Sequence, residues 1–275
     1  MPGPDVPNRF SDRLRTAQSL SASRLCVGLD PVVSRLPAPF RSMPTVEGVR
    51  RFCEAIVEAT AHAACAFKPN LAFFEALGPA GLEALAHVVE AIPEGRLVIA
   101  DAKRGDIGNT ARAYAKAYFE TMQSDAVTVS AYMGRDAVDP FLAYPSRAAF
   151  VLVRTSNPGG SDFQELIVDG RPLYLHVAEQ SASWGEAAAG EVGFVVGATQ
   201  PEALAEIRRL HPRVPFLIPG VGAQGGSASA VIEAAATNEG LVLVNSSRGI
   251  LYASAGPDFA EAAAQEAERL RLALG

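Results

Sequence analysis

Cysteine is scarce in this chain, with three among 275 residues: Cys26, Cys53 and Cys65. An odd number with no Cys-x-x-Cys pair excludes a disulfide framework and a cysteine zinc site, and predicts reduced thiols in a cytoplasmic protein. Histidine is scarce too, and His62, His87, His176 and His211 keep no metal-ligand spacing with one another or with a cysteine. No metal is expected. Long apolar runs are missing: none approaches the roughly 18 residues of a membrane span, and the N-terminus lacks a signal-peptide core. There is no basic excess either. Lys and Arg number 24 against 30 Asp and Glu, a formal net charge of −6. That argues against a nucleic acid or an anionic membrane as partner, while leaving room for a local basic pocket around a small anion.

What is present is enough apolar sequence, 49% of residues, for one sizeable core. Short apolar runs recur along the whole chain and alternate with stretches of helical periodicity. Residues 1–20 read as an N-terminal extension whose Phe10–Leu14 segment predicts a short amphipathic helix packed on the outside. The first strand is Arg24–Leu29, ending at Asp30-Pro31. Thr45 is expected to cap a helix carrying Val49, Phe52, Cys53, Ile56 and Val57. The second strand is Ala64–Asn70, with Lys68 near its C-terminal end, and a helix over about 79–91 leads to the third at 96–101. Ile107, Ala111, Tyr114, Ala115 and Tyr118 mark another helix. Strands follow at 126–130 and 149–154, then a turn-rich loop to about 170 and a helix to about 188. The sixth strand is 192–197, followed by a capping box of Thr199 and Glu202 with Pro201 in its first turn. Strands at 214–219 and 241–245 precede a last helix from Asp258.

Eight strand–helix units with no composition break, and strands apolar on both faces, call for a parallel sheet. Eight favour closure, so the expected fold is α/β, a single-domain (β/α)8 TIM barrel over 1–275. Charges gather at strand C-terminal ends, the face on which such barrels carry their sites.

The densest group is Asp101-Ala-Lys103-Arg-Gly-Asp106 after the run Leu97–Ala100. In an extended chain residues two apart share a face, which brings Asp101 and Lys103 together. Lys68, at the neighbouring strand end, extends this to an alternating Lys–Asp–Lys–Asp array. The bland alternative is an ion-pair corner with Asp106 as a helix cap. Ion pairs removed from water return little stability for their cost, which favours a functional origin. A second group is Pro219-Gly-Val-Gly-Ala-Gln224-Gly-Gly226, whose glycines let backbone N–H groups approach a phosphate at a helix start. Its Gly-x-Gly-x-x-Gly string also matches a dinucleotide fingerprint, but the next strand ends in Asn245 instead of an acid. The third is Asn245-Ser-Ser-Arg248. Arg suits forked hydrogen bonding to phosphate, and the loops after strands seven and eight are the usual barrel phosphate site.

Together these motifs resemble orotidine 5'-phosphate decarboxylase, a likeness carried by Asp101-x-Lys103-x-x-Asp106-Ile107-x-Asn109-Thr110 and by Pro219–Gly226, and covering nearly the whole chain. Phe67-Lys68-Pro69-Asn70 and the length look like the longer bacterial subgroup, type 2. The resemblance implies cofactor-independent loss of CO2 from orotidine 5'-monophosphate to give UMP, with Lys103 as the acid at C6 of the pyrimidine. It implies Asp101 beside the leaving carboxylate, and Lys68 holding Asp101 and a ribose hydroxyl. Asp30 would bind ribose, Ser156 the pyrimidine, and Pro219 would pack by the base. Gln224 and Arg248 would hold the phosphate. Asp106 and Thr110 would reach into the neighbouring subunit's site of a homodimer.

Carbon dioxide leaving C6 strands an electron pair in the ring plane, out of reach of the ring π-system, so a fixed cation must meet the developing charge. Three other readings stay open on residues alone: a metal-dependent sugar-phosphate lyase, an NAD(P) oxidoreductase, and a nucleotide-binding protein without turnover.

Overall fold

The eight apolar runs become eight strands in the computed structural model, which describes residues 9–221, 226–237 and 239–275. They are β1 (Leu25–Leu29), β2 (Ala66–Pro69), β3 (Leu97–Arg104) and β4 (Ala126–Val129). β5 (Ala148–Arg154), β6 (Glu191–Val196), β7 (Phe216–Pro219) and β8 (Val242–Ser246) complete the set. Each pairs in parallel with the next, and β8 returns to β1 with Cys26 opposite Asn245, closing the barrel. The TIM barrel expected from the strand count is therefore the fold. Helices such as Thr45–Thr60, Pro79–Glu90 and Phe259–Leu274 lie outside it.

Strand alternation sorts the core into two layers. Leu25, Val27, Phe67, Ala100, Val127, Val151 and Phe194 face the helices. The other set points inward: Cys26, Ala66, Ile99, Ala126, Phe150, Leu217 and Leu243 fill the lower barrel. Two residues further along the same inward rows the chemistry changes. Ala66 gives way to Lys68, Ile99 to Asp101, Ala126 to Thr128, and Leu243 to Asn245, all lining one cavity at the C-terminal end. An apolar plug below and polar groups above is what the alternation and the strand-end charges impose.

The N-terminal helix departs from expectation. It runs from Phe10 to Ser21 and closes the bottom of the barrel instead of lying on its outside. Phe10 and Leu14 are fully buried, and the Phe10 ring meets Phe150 edge-on at 5.7 Å. An ionic clasp holds it there. Asp125 Oδ1 accepts from Arg13 at 2.5 Å and Arg147 at 2.6 Å, and its Oδ2 accepts from Val98 N at 2.8 Å. Local periodicity identified the apolar face of this helix but not the surface it meets.

Two helix starts also differ. Pro44 is the boundary residue before the Thr45–Thr60 helix, so Thr45 is its first residue and caps nothing. Pro201 begins the helix Pro201–Leu210, leaving Gln200 at the cap and Thr199 one position too early; no capping box forms, and Thr199 Oγ1 is buried without a partner. Inside the loop after β5 a small hairpin pairs Ile167–Val168 with Arg171–Pro172. It turns at Asp169-Gly170, both with positive φ, as a two-residue Asp-Gly hairpin requires.

Candidate active site

The strand ends converge on a cavity of about 490 Å³, a volume suited to a small polar ligand. Its floor is an ion array. Lys68 Nζ sits 2.5 Å from Asp101 Oδ2, and Lys103 Nζ sits 2.5 Å from Asp101 Oδ1. Lys68 and Asp101 are buried, whereas 52% of the Lys103 side chain stays exposed toward the opening. Burial alone would push the Asp101 carboxyl up. The Lys68 ammonium, with Lys103 and two hydrogen bonds, outweighs it and holds Asp101 well below the usual carboxylate range. Burial likewise works against the Lys68 ammonium, but the charges of Asp101 and Asp30 lift it above the ordinary lysine value. The array is thus a fixed carboxylate between two cations, one sealed in and one facing the cavity.

Lys103 reaches this position by an irregular route. Ala100 pairs with Val127 and Arg104 with Val129, so four steps along β3 face two along β4. The bulge is centred on Asp101–Lys103, and Lys103 takes the left-handed conformation with φ of 47°. Bulges re-aim side chains in this way near active sites. Regular alternation predicted the right neighbours through the wrong backbone.

Around the array, Asp30 and Arg248, expected from their strand-end positions, line the same cavity, as do Ser156 and Pro219, expected from the family resemblance. Asp30 Oδ2 accepts from Ser247 Oγ at 2.6 Å, and its backbone carbonyl accepts from Tyr252. Gly28 makes this possible: a Cβ there would stand 2.3 Å from Ser247 Oγ. Asp30 Oδ1 and Asn245 Oδ1 are buried without partners and border the cavity, two acceptors left for a ligand's hydroxyls. Ser156 is carried on a loop fastened by buried Arg154, which pairs with Glu165 and donates to Gln164 Oε1 at 3.2 Å. Arg248 is exposed at the first turn after β8. Gln224 lies outside the described residues.

Asp106 and Thr110 do not join the site of their own chain. Asp106 Oδ1 accepts from Ile107 N at 2.8 Å, Thr110 is exposed, and neither lines the cavity. Within one chain the array is therefore Lys–Asp–Lys, without the fourth member expected from the spacing. Sequence reasoning overlooked Thr128, Ser247 and Asn70. Asn70 lines the cavity and caps the Leu71–Glu75 helix. Thr128 was detectable as a polar residue on the inward row of a largely apolar strand; Ser247 had no local signal. Among the described residues no His, Cys, Asp and Glu side chains converge as a metal site, and no helix is long and apolar enough to cross a membrane.

The family described as orotidine 5'-phosphate decarboxylase / HUMPS matches residues 23–265. Orotidine 5'-phosphate decarboxylase from Roseiflexus castenholzii is 51% identical over 269 residues, 96% of this chain and 97% of that one. The structure of Leishmania donovani OMP decarboxylase superimposes with a TM-score of 0.81 at 39% identity, covering 96% of this chain and 99% of that one. Leishmania donovani UMP synthase gives 0.83 at 42% identity; 96% of this chain spans 56% of that longer protein. This chain belongs to the orotidine 5'-phosphate decarboxylase / HUMPS family.

Proposed function

We propose that the chain decarboxylates orotidine 5'-monophosphate to uridine 5'-monophosphate in pyrimidine biosynthesis, with Lys103 delivering the proton to C6 and no cofactor taking part. The observation that carries this reading is the Lys68–Asp101–Lys103 array at the floor of the cavity. The substrate carboxylate would lie beside Asp101, which its two ammonium neighbours keep ionised. As carbon dioxide leaves, the electron pair at C6 meets the Lys103 ammonium and takes its proton. At 4 Å and an effective dielectric of about 20, one such charge pair is worth roughly 4 kcal/mol, or about three orders of magnitude in rate. One lysine is not sufficient. Binding energy from the phosphate end, through Arg248 and Gln224, must contribute by closing the site and expelling water. Asp30 and Lys68 would hold the ribose, Ser156 the pyrimidine edge, and Pro219 the ring face. The length and Phe67-Lys68-Pro69-Asn70 support the family's longer subgroup, type 2, and the reduced thiols support a cytoplasmic location.

The test is the fall in absorbance of orotidine 5'-monophosphate in the presence of EDTA. The protein should consume it; a folded preparation that leaves it unchanged contradicts the assignment. Arg248→Ala should weaken UMP binding by about 10- to 100-fold, the loss of one or two charge-assisted hydrogen bonds. Uridine binding should not change. Equal losses for nucleoside and nucleotide, by calorimetry, would remove Arg248 from the phosphate.

We read Asp106 and Thr110 as belonging to a partner's site in a homodimer. Neither lines its own chain's cavity, which supports this, as do exposed apolar neighbours on the adjoining loops: Ile107 (46%), Tyr132 (89%) and Met133 (48%). Mixing inactive Asp101→Ala and Asp106→Ala chains should then restore activity. Random exchange makes half the dimers mixed, each with one intact site of two, or about a quarter of wild-type turnover. Subunit exchange without recovery would refute the shared site.

A further inference from the structure

We propose that Thr128 is a positioning residue for the reaction, its single hydroxyl both holding the backbone that presents Lys103 and aiming the carboxylate of Asp101. This rests on the role assigned to Lys103 above. Thr128 points inward from β4 and is 2% exposed. Its Oγ1 accepts from Ala102 N and from Lys103 N, each at 3.0 Å, and donates to Asp101 Oδ1 at 3.1 Å. A hydroxyl has one proton to give and two lone pairs, so all of its capacity is spent on three consecutive residues of the β3 bulge.

The register explains why the bulge needs it. Between the Ala100–Val127 and Arg104–Val129 pairs, β4 supplies too few carbonyls for the N–H groups of the longer β3 segment. Thr128 takes two of those donors on one oxygen. One belongs to Lys103, whose left-handed backbone is a conformation that long side chains adopt only under constraint. The third bond falls on Asp101 Oδ1, the same oxygen that Lys103 Nζ contacts at 2.5 Å. Backbone, carboxylate and ammonium of the site are thereby referred to one fixed atom. A loose supporting contact is enough to displace a reacting group by an ångström.

The proposal predicts a split between turnover and binding. Thr128→Ala should lower kcat by about 100-fold, the usual result of misplacing a reacting group, while the Kd for UMP changes less than about threefold. Thr128→Ser removes only the methyl and should recover turnover to within about tenfold of wild type. Retention of kcat in the alanine variant overturns the proposal, and so does a serine variant as slow as alanine, which would assign the effect to packing. Should alanine not fold, valine carries the comparison: it matches the shape of threonine and must turn over far more slowly than serine, equal rates overturning the inference. Lys103→Ala run alongside separates the two levels. Near-normal turnover there overturns the role of Lys103 and this inference with it. A dead Lys103→Ala beside a fully active Thr128→Ala overturns the inference alone.

Discussion

Lys103→Ala should lose at least about 10⁵-fold in kcat: roughly three orders of magnitude for the missing charge and two for the missing proton donor. Fold and UMP affinity should survive. The side chain is half exposed, so truncation leaves no apolar void, and Asp101 keeps Lys68 at 2.5 Å as a counter-ion. Because the proposed role has Lys103 act only as carbon dioxide departs, kcat and kcat/KM should fall together. Thermal unfolding and UMP titration of the same preparation check the claim. A variant that loses UMP affinity in proportion to turnover would point instead to ground-state binding.

Asp101→Ala should be damaging in a different way. It removes the partner of a lysine that is 4% exposed, and an uncompensated buried charge costs about 3–5 kcal/mol. Turnover and stability therefore fall together, unlike Lys103→Ala, and denaturant melts separate the two. The pH dependence follows with its sign. Asp101 has a folded pKa depressed below the ordinary 3.8, so its contribution is fully present above that value and drains away as pH falls through the folded pKa. Lys68 has a folded pKa raised above 10.5, so its contribution is complete below that value and is lost as pH climbs past the folded pKa. Wild type should show both losses at the pH extremes, and Asp101→Ala should show a much flatter acid limb. An unchanged acid limb in the variant would mean that other carboxylates dominate acid unfolding.

The barrel was legible because both-face apolar runs admit few arrangements, and eight of them with helices between favour closure over an open sheet. Lys68, Asp101 and Lys103 were legible because charge at the end of a buried strand has no packing explanation. The bulge was not, since it exists only relative to the register of β4, and with it went the meaning of Thr128. The Ser247–Asp30 contact joins residues 217 positions apart and leaves no local pattern. Thr199 misled because a capping spacing counts from the true helix start, which Pro201 moves by one residue. The N-terminal helix misled for a related reason: amphipathicity names a buried face, never its partner.

The central claim is that an ammonium at position 103 does the chemistry. Lys103→Cys followed by 2-bromoethylamine rebuilds that ammonium on a thioether, and the fold makes the reaction selective. Cys26, Cys53 and Cys65 are fully buried, with burial pushing the Cys26 thiol up to about 12 and the other two upward as well, whereas position 103 is open to solvent. Aminoethylation should raise kcat of the inactive Lys103→Cys variant by at least about 100-fold, and alkylation with neutral iodoacetamide should leave it inactive. Complete modification at residue 103, verified by mass spectrometry, without recovery of turnover or with equal recovery by both reagents, would contradict the account.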